Sequence, residues 1–343
     1  MSQTPGTVNG TGTEPVIAVA HTAFADHDGL RADFAGIADL RFIDVTDPDQ
    51  LPSATDGAAG IVVTLQRLSA PVIAALAPSV GVIGRAGVGL DSIDLAAAES
   101  AGIAVVNQPA YGAPEVASHA LALLTAISRR LVPSDAFVRA GWSGGIDFAG
   151  IQPLDEAVVG VIGCGRIGST FAHYVRPLVS SVIGYDPGPV PIPDFMEQVA
   201  TLDELLARST AISLHLPLVA QTRGLIGARE LDLLPRGALV INVARGGIID
   251  EDALAQALHS GQVGGAGLDV FAAEPLSADS PLHGTPNTVL TPHSASVSER
   301  STSRLSHWTI SDAVEYLRTG SVTHGSIVVN PNGNGRARPT VPA

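Results

Sequence analysis

Residues 157–168 of this chain read Ala157-Val-Val-Gly-Val-Ile-Gly-Cys-Gly-Arg-Ile-Gly168, an apolar run that leads into the pattern Gly-x-Gly-x-x-Gly. The apolar run predicts a buried strand, and the pattern predicts a tight turn into a helix that begins near Arg166. In such a turn Gly163 makes the bend, Gly165 lets the backbone approach a pyrophosphate, and Gly168 lets the helix lie close to the strand. Because the N–H groups at the start of a helix attract a phosphate, the sequence predicts a dinucleotide site here.

A second apolar run, residues 181–185, follows the helical segment and ends at Asp186. Asp186 lies eighteen residues after Gly168, where an acidic side chain accepts hydrogen bonds from the hydroxyls of an adenosine ribose. Its carboxylate would repel a 2′-phosphate, and Pro187-Gly188-Pro189 supplies no Arg to attract one. These residues favour NAD over NADP as the cofactor. A glycine-rich turn without a ligand is the alternative interpretation, and the joint occurrence of strand, helix and acid disfavours it.

The composition is typical of parallel strands that helices cover on both faces. The 343 residues are 45% hydrophobic and only 4% aromatic, and their number suits two domains. The net charge is −14 and all 19 basic residues are Arg, so no basic tract is available to hold nucleic acid or an anionic membrane. We therefore expect no nucleic-acid partner and no membrane partner. No metal site is predicted either.

The single cysteine and the chain termini bear on the cellular compartment. Cys164 cannot form a disulfide within the chain, which favours a reducing, cytoplasmic location. Within the glycine pattern it is expected to be a small filler and not a reactive thiol. Residues 1–14 lack the features of a signal peptide, and no run approaches the roughly 18 apolar residues of a membrane span. Residues 1–14 and 331–343 are both expected to be disordered tails.

The part of the chain before residue 107 alternates short apolar runs with helical stretches, which predicts a parallel βα sheet. Strands are predicted at residues 16–21, 40–45, 60–65, 80–84 and 103–107, and helices at residues 28–38, 70–76 and 93–101. A glycine-rich turn in this half contains Gly87, Val88 and Gly89, whose unshielded N–H groups can bind a carboxylate. An ordinary glycine turn is an equally good interpretation of this segment taken alone.

Residues 115–142 have apolar side chains at helical spacing and are predicted to form one connecting helix, with Pro114 and Glu115 suited to its first turn. His119 lies inside this helix and is interpreted as a capping or packing residue more readily than as a catalyst. Beyond Asp186 the alternation resumes, with strands predicted at residues 211–216, 238–243, 263–271 and 287–292 and helices at residues 201–208, 229–234 and 251–259.

Polar side chains follow the last three predicted strands: Arg245, then Asp269 with Glu274, then His293. Ligands of open parallel sheets collect at these carboxyl ends. Hydride transfer between a nicotinamide and an alcohol carbon needs a proton acceptor that works near neutral pH, for which His is the natural choice. It also needs a cation for an anionic substrate, and the planar fork of Arg suits a carboxylate. Glu274 can orient the His293 ring and favour its protonated form. Each residue alone could be a solvated loop residue, but together they favour catalysis.

In six ordered blocks the chain resembles the D-isomer-specific 2-hydroxyacid dehydrogenases, a family that includes formate, D-lactate, glycerate and D-3-phosphoglycerate dehydrogenases and the related C-terminal-binding proteins. The likeness runs from about residue 16 to residue 330. The blocks are Gly84-Arg-Ala-Gly-Val-Gly-Leu-Asp-Ser-Ile-Asp94, residues 161–168, His215-Leu-Pro-Leu218 with Thr222-Arg-Gly-Leu-Ile-Gly227, Asn242-Val-Ala-Arg-Gly-Gly-Ile-Ile-Asp250, Gly267-Leu-Asp-Val-Phe-Ala-Ala-Glu-Pro275 and Thr291-Pro-His293.

The resemblance implies an α/β fold with two Rossmann-like, doubly wound parallel-sheet domains. The NAD-binding domain, residues 107–294, would be inserted into a discontinuous, flavodoxin-like substrate domain formed by residues 15–106 and 295–330. Hinges would lie near Asn107 and Ser294. The family usually pairs through its NAD domains, so the resemblance also implies a homodimer.

The resemblance implies a role for each matching residue. Arg245 would grip the carboxylate and keto oxygen of a small anionic 2-keto or 2-hydroxy acid, His293 would be the acid and base, and Glu274 would be its partner. Val88 and Gly89 would offer backbone N–H groups to the carboxylate. The residues that would bind NAD are Gly163, Gly165, Arg166, Ile167, Gly168, Asp186, Pro217, Thr222, Val243, Ala244, His293 and Asp269, the last facing the nicotinamide carboxamide.

The chain departs from the family pattern in two places. Ser294-Ala295-Ser296 follows the histidine where the family often has Gly, and residues 107–117 are closer to the C-terminal-binding-protein branch. Two roles for Tyr111 in this segment are given equal weight: contact with the substrate and packing at the hinge.

The leading interpretation is an NAD-dependent D-2-hydroxyacid dehydrogenase that works by lobe closure. The alternatives are a D-3-phosphoglycerate dehydrogenase and an NAD-sensing binding protein with little turnover.

Overall fold

A computed structural model describes residues 14–331 of the chain except 21–23, 25, 46, 146–147, 149–150 and 152. The described residues divide into two compact units: unit 1 comprises residues 14–111 and 299–331, and unit 2 comprises residues 112–298. Unit 2 is therefore inserted into unit 1 in the sequence. The predicted tails, residues 1–14 and 331–343, lie outside the described residues apart from Glu14 and Pro331.

The elements alternate along the chain as the βα rhythm predicts. They are β1 (Val16–Ala20), α1 (His27–Asp33), β2 (Asp39–Ile43), α2 (Leu51–Ala54), β3 (Gly60–Val63), α3 (Ala70–Leu76), β4 (Val82–Arg85), α4 (Leu95–Ala101), β5 (Ala104–Asn107), α5 (Ala113–Ser128), α6 (Leu131–Arg139), β6 (Val158–Ile162), α7 (Arg166–Val175), β7 (Ser181–Tyr185), β8 (Glu197–Gln198), α8 (Leu202–Arg208), β9 (Ala211–Leu214), α9 (Ala228–Leu233), β10 (Ala238–Asn242), α10 (Glu251–Ser260), β11 (Val263–Leu268), β12 (Thr288–Leu290), α11 (Glu299–Thr319) and β13 (Ser326–Val329).

The sheet of unit 1 has the strand order β2-β1-β3-β4-β5-β13. Its strands are parallel except β13, which pairs antiparallel with β5. The order of the five parallel strands is that of flavodoxin-like sheets. Successive side chains of a strand point to opposite faces, so Ile61 and Val63 pack in one apolar layer with α3 and Val62 packs in the other with α11.

The sheet of unit 2 has the strand order β12-β11-β10-β9-β6-β7-β8, and every pair is parallel. Renumbered within the unit, this is the order 3-2-1-4-5-6 of dinucleotide-binding sheets with one further strand. Side chains of α5 and α7 cover one face of the sheet, and those of α8, α9 and α10 cover the other. The predicted fold class is confirmed. The strand order reverses between β6 and β9, which is where such sheets bind ligands.

The prediction of one helix over residues 115–142 is wrong. The helix ends at Ser128, Arg130 adopts a left-handed conformation with φ of 50°, and α6 starts at Leu131. Pro133 explains the break, because its ring would clash with the carbonyl of Arg129 in a continuous helix and it has no N–H to donate.

The units divide after residues 111 and 298, five and four residues beyond the predicted domain boundaries at 106 and 294. Residues 107–111 group with unit 1, where the side-chain amide of Gln108 donates to the buried carboxylate of Asp312 at 2.8 Å. Residues 295–298 group with unit 2, where the Ala295 N–H is bonded to Asp269 at 2.9 Å. The hinges near Asn107 and Ser294 stay predictions.

Strand β13 was not predicted, because four residues give too short an apolar pattern to distinguish a strand from a loop.

Candidate active site

The glycine-rich turn of unit 2 connects β6 to α7. Gly163 has a φ of +95°, and a Cβ atom there would lie 2.8 Å from the carbonyl carbon of His215, so the position requires glycine. A Cβ atom on Gly168 would collide with the carbonyl oxygen of Gly163, which shows how closely the helix lies against the turn. Gly165 precedes the first residue of α7 and borders open space. A backbone surface is thus exposed beside the helix N-terminus.

The environment of this turn fits a dinucleotide. Among the described residues, no side chain caps the N-terminus of α7: its N-cap residue is Gly165, and the N–H groups of the first turn begin at Arg166 and Ile167. Asp186 follows β7, and its two carboxylate oxygens accept hydrogen bonds from the N–H groups of Cys164 at 2.7 Å and Gly188 at 2.9 Å. The half-buried carboxylate is therefore fixed beside the glycine turn, with lone pairs left for ribose hydroxyls.

Cys164 is buried inside the turn, with 1% of its surface exposed. Burial, with a smaller contribution from the negative charge of Asp186, raises the pKa of its thiol to about 12. His215, after β9, is half-buried, and the partial burial of its ring lowers the pKa of the imidazole to about 3. Neither side chain is suited to proton transfer near neutral pH.

Four further residues predicted to bind the cofactor, Pro217, Thr222, Val243 and Ala244, lie in the loops after β9 and β10. The buried hydroxyl of Thr222 donates to the carbonyl oxygen of Pro217 at 2.6 Å and accepts from the Val219 N–H at 2.9 Å, so it shapes its own loop. Val243 and Ala244 continue directly from β10 and lead to Arg245. The role of these residues toward NAD stays a prediction.

Asn242, at the end of β10, shapes the turn that presents Arg245. Its buried side chain donates to the Arg245 carbonyl at 2.9 Å and accepts from the Ala244 N–H at 3.0 Å. A Cβ atom on Gly246 would collide with the backbone of Phe271, so the Arg245 turn lies directly against the loop after β11. That loop carries Glu274, and the two predicted residues are brought close together. The Arg245 guanidinium donates to the Ala244 carbonyl at 2.7 Å.

His293 and Glu274 are bonded to each other. Nδ1 of His293 lies 2.7 Å from Oε2 of Glu274, while Oε1 accepts the Phe271 N–H at 3.0 Å. A carboxylate can only accept, so Nδ1 carries the hydrogen and Nε2 of the neutral ring is the basic nitrogen. Both side chains are about one-third exposed, at 37% for His293 and 32% for Glu274. The imidazole is therefore oriented by protein and accessible to a small molecule.

The charges around Glu274 keep it ionised. Burial acts to raise the pKa of the Glu274 carboxyl, but the hydrogen bonds from His293 and Phe271 and the positive charges of His293 and Arg245 outweigh it. The pKa of Glu274 therefore lies below its usual value. The positive charge of Arg245 contributes to this lowering of the Glu274 pKa, so its guanidinium interacts electrostatically with the carboxylate that is bonded to His293.

Asp269 is placed under the His293 loop. It is 1% exposed, and its carboxylate accepts the Thr291 hydroxyl at 2.6 Å and the N–H groups of Ser294 and Ala295, each at 2.9 Å. His119 completes this cluster, with Nε2 at 3.0 Å from the Thr291 hydroxyl. The predicted contact of Asp269 with a nicotinamide carboxamide stays a prediction.

In unit 1 the turn after β4 carries Val88 and Gly89. The carbonyls of Gly87 and Val88 are bonded to the N–H of Gln108 at 3.0 Å and to the side-chain amide of Asn107 at 2.8 Å. These bonds fix the turn to the end of β5. The proposed binding of a carboxylate by the N–H groups of Val88 and Gly89, and the role of Tyr111, stay predictions.

The sequence did not identify Asn242, Thr291 or His119 as contributors to the site. A weak signal exists for Asn242, since an Asn that ends a buried strand commonly bonds to the following backbone. No local signal exists for His119, because Thr291 lies 172 residues away in the chain.

The described part of the chain contains neither a candidate metal site nor a candidate membrane-spanning helix. Over residues 14–331 with the gaps stated above, no group of three or more His, Cys, Asp or Glu side chains is arranged to hold a metal ion. No helix within the same residues has the length and apolar character that crossing a membrane requires.

Comparison with known proteins identifies the family of unit 2. A family model described as D-isomer specific 2-hydroxyacid dehydrogenase, NAD binding domain, matches residues 121–295, or 175 of the 343 residues. The chain therefore carries the NAD-binding domain of that family.

Two relatives are similar over most of this chain. A D-3-phosphoglycerate dehydrogenase of Mycobacterium tuberculosis is 41% identical over 258 residues, which cover 74% of this chain and 48% of that enzyme. The chain thus spans about half the length of the curated D-3-phosphoglycerate dehydrogenases that it matches. A glyoxylate reductase of Korarchaeum cryptofilum is 35% identical over 251 residues, which cover 71% of this chain and 74% of that one.

A solved structure shares the fold over nearly the whole chain. It is an NADPH-dependent glyoxylate/hydroxypyruvate reductase of Sinorhizobium meliloti in complex with NADP and malonate, with a TM-score of 0.81, 27% identity, and coverage of 92% of this chain and 97% of that one. A family model over half of the sequence and a relative of 35% identity across most of both chains lead to one conclusion. The chain belongs to the D-isomer specific 2-hydroxyacid dehydrogenase family.

Proposed function

We propose that the protein is an NAD-dependent D-2-hydroxyacid dehydrogenase that reduces small 2-keto acids and oxidises the corresponding hydroxy acids. The observation that carries the proposal is the 2.7 Å hydrogen bond between His293 and Glu274. The positive charge of Arg245 helps to keep Glu274 ionised. These are a proton carrier, its orienting carboxylate and a cation, the three groups that keto-acid reduction needs. NADH, when bound, supplies the hydride.

His293 is the proposed acid and base. With Nδ1–H donated to Glu274, Nε2 is the nitrogen that exchanges a proton with the substrate oxygen. In reduction, Nε2–H gives its proton to the oxygen as negative charge develops there. The Glu274 carboxylate stabilises the positive charge of the protonated ring, and in oxidation the neutral ring accepts the hydroxyl proton.

Arg245 is the proposed anchor for the substrate carboxylate. Its guanidinium is planar, permanently charged and presents paired donors that match a carboxylate. The same charge favours electron density on the keto oxygen during reduction. Asn242 and Gly246 support this role, since one bonds to the turn and the other allows the turn to contact the Phe271 backbone.

NAD is the proposed cofactor in preference to NADP. Asp186 is fixed beside the glycine turn by two backbone N–H groups, and its charge opposes a 2′-phosphate. The segment Pro187-Gly188-Pro189 contains no cation to offset that charge. The similar structure from Sinorhizobium meliloti is in complex with NADP, so the preference of this protein for NAD over NADP has to be measured directly.

D-3-phosphoglycerate is the second candidate substrate. It is favoured by the 41% identity to the Mycobacterium tuberculosis enzyme, although only half of that enzyme is matched. A steady-state panel of glyoxylate, hydroxypyruvate, pyruvate, bulkier keto acids and 3-phosphohydroxypyruvate, each with NADH, separates the candidates. Preference for an unphosphorylated acid supports the proposal, and preference for the phosphorylated acid supports the alternative. Failure of every acid while NADH still binds would instead favour an NAD-sensing binding protein.

A homodimer through the NAD-binding unit is proposed as well. Leu131 and Val132 on α6 and Trp142 just after it are 55%, 50% and 71% exposed, and a second copy is proposed to cover these apolar side chains. Light scattering of Val132→Glu is expected to give a monomer, whereas the control Ile37→Glu, in unit 1, keeps the dimer. A Val132→Glu protein that is still dimeric would contradict this assignment of the interface.

A further inference from the structure

The backbone of His293 is held in a conformation that residues other than glycine rarely adopt. Its φ is +52°, in the left-handed region. Three successive N–H groups stabilise it, and all three donate to Asp269: His293 to the backbone carbonyl at 2.8 Å, Ser294 to Oδ1 and Ala295 to Oδ2, both at 2.9 Å. The direction in which the His293 ring leaves the chain therefore depends on where the Asp269 carboxylate lies.

Thr291 supplies the side-chain hydrogen bond that helps to position that carboxylate. Its hydroxyl lies 2.6 Å from Oδ1 of Asp269, and because an ionised carboxylate only accepts, the hydroxyl donates. Asp269 is 1% exposed, so this bond cannot be exchanged for one to bulk water. Thr291 is thus bonded to the residue that receives all three N–H groups of the loop.

His119 fixes the Thr291 hydroxyl in turn. Nε2 of His119 lies 3.0 Å from that oxygen. Because the Thr291 hydrogen is already given to Asp269, the oxygen must accept, and Nε2 of His119 must carry a hydrogen. The result is a directed chain of donors from His119 to Thr291 to Asp269, and Asp269 also accepts the backbone N–H groups of His293, Ser294 and Ala295. The same Nε2 is 3.7 Å from Oδ1 of Asp269.

We propose that Thr291 and His119 are positioning residues for His293. They act through Asp269 and keep the left-handed turn closed, so that Nε2 of His293 meets the substrate oxygen in one orientation. The inference rests on the proposed function of His293 as acid and base. A role limited to packing α5 against β12 is the competing explanation, and it predicts a loss of stability without a specific effect on turnover.

The test compares three threonine variants in the full chain. Thr291→Val keeps the shape and removes the donor, Thr291→Ser restores a hydroxyl, and Thr288→Val makes the same chemical change three residues earlier on β12. With hydroxypyruvate or glyoxylate, whichever is reduced faster, kcat of Thr291→Val is expected to fall about ten- to hundredfold while KM changes less than about threefold. Thr291→Ser regains most of that loss, and Thr288→Val turns over like the parent protein.

Two histidine variants test the first member of the chain. His119→Gln places an amide N–H donor near the position of Nε2, and His119→Leu removes it. His119→Leu is expected to lower kcat in the same way as Thr291→Val, and His119→Gln to regain part of it. The two losses overlap in the double variant, because both changes break one chain of hydrogen bonds.

Amide hydrogen exchange gives a readout that does not depend on turnover. The N–H groups of residues 293–295 are expected to exchange about tenfold faster or more in Thr291→Val and His119→Leu, and at the parent rate in Thr288→Val. Parent-like exchange together with parent-like kcat in both variants would overturn the inference even if His293→Ala is inactive. Faster exchange in a protein that reduces none of the acids would support the positioning and count against the proposed function alone.

Discussion

The imidazole of His293 and the carboxylate of Glu274 are joined by a 2.7 Å bond although the residues come from the loops after two different strands, β12 and β11. The bond fixes which ring nitrogen carries a hydrogen, and so which one is available to a substrate. The Glu274 carboxylate is itself held by the Phe271 N–H at 3.0 Å, in a loop against which the Arg245 turn packs. The proposed proton carrier and the proposed carboxylate anchor are thereby connected through neighbouring backbone segments at one edge of the sheet.

Replacing His293 by Ala is expected to remove most turnover and leave NADH affinity within a few-fold, because the change touches proton transfer and not the adenosine site. The expected loss in kcat is about 10²- to 10⁴-fold. Steady-state rates and NADH fluorescence titration measure the two quantities. His283→Ala, an exposed histidine in the same unit, is the matched control. A His293→Ala protein with a rate near that of the parent would refute the assignment.

Replacing Arg245 by Lys keeps the positive charge and removes the paired donors. Weaker substrate binding is expected, with kcat/KM lower by about tenfold or more and much of the effect in KM. Arg236→Lys is the control. Arg236 is exposed, donates to the Ser260 carbonyl at 2.7 Å, and precedes β10, whereas Arg245 follows that strand. Equal KM values in Arg245→Lys and the parent would argue against Arg245 as the carboxylate anchor.

The sequence predicted the two sheets and the glycine turn because their signals are local. Buried strands give apolar runs, and Gly163 and Gly168 are required by distances within one turn. It did not predict the break at Arg130, because helical periodicity continues through a segment where Pro133 prevents a continuous helix. The link from His119 to Asp269 was not predictable either, since it depends on which helix packs beside the last strand.

Lowering the pH is expected to remove a stabilising contribution of Glu274. The pKa of its carboxyl is lower in the folded protein than its ordinary value of 4.5, so the ionised form favours folding. That contribution is complete above the ordinary pKa and is lost as the pH falls through the lower folded value. Urea unfolding should therefore show Glu274→Gln less stable than the parent near neutral pH, with the difference shrinking below about pH 4.5. A difference that grows in acid would contradict this sign.

Cys164 is expected to resist alkylation in the folded protein. It is 1% exposed, and burial raises the pKa of its thiol to about 12, so the reactive thiolate is scarce. Iodoacetamide at about pH 8 should leave the native protein unmodified and label it fully in urea, as followed by intact mass. Since the chain has a single cysteine, the unfolded sample is the matched control. Rapid labelling of the native protein would show that the turn opens.

Replacing Asp186 by Ala is expected to weaken NAD binding and relax the exclusion of NADP. The carboxylate is positioned by the N–H groups of Cys164 and Gly188, so the change removes both the acceptor for the ribose hydroxyls and the charge that opposes a 2′-phosphate. Affinity for NADH should fall about tenfold, and the ratio of kcat/KM for NADH over NADPH should fall by more. Asp194→Ala, an exposed acidic residue beyond the same strand, controls for the loss of one charge near the site. Because the cofactor ratio compares two ligands in one protein, partial unfolding cancels out of it. An unchanged ratio in Asp186→Ala would mean that discrimination between the cofactors does not originate from this carboxylate.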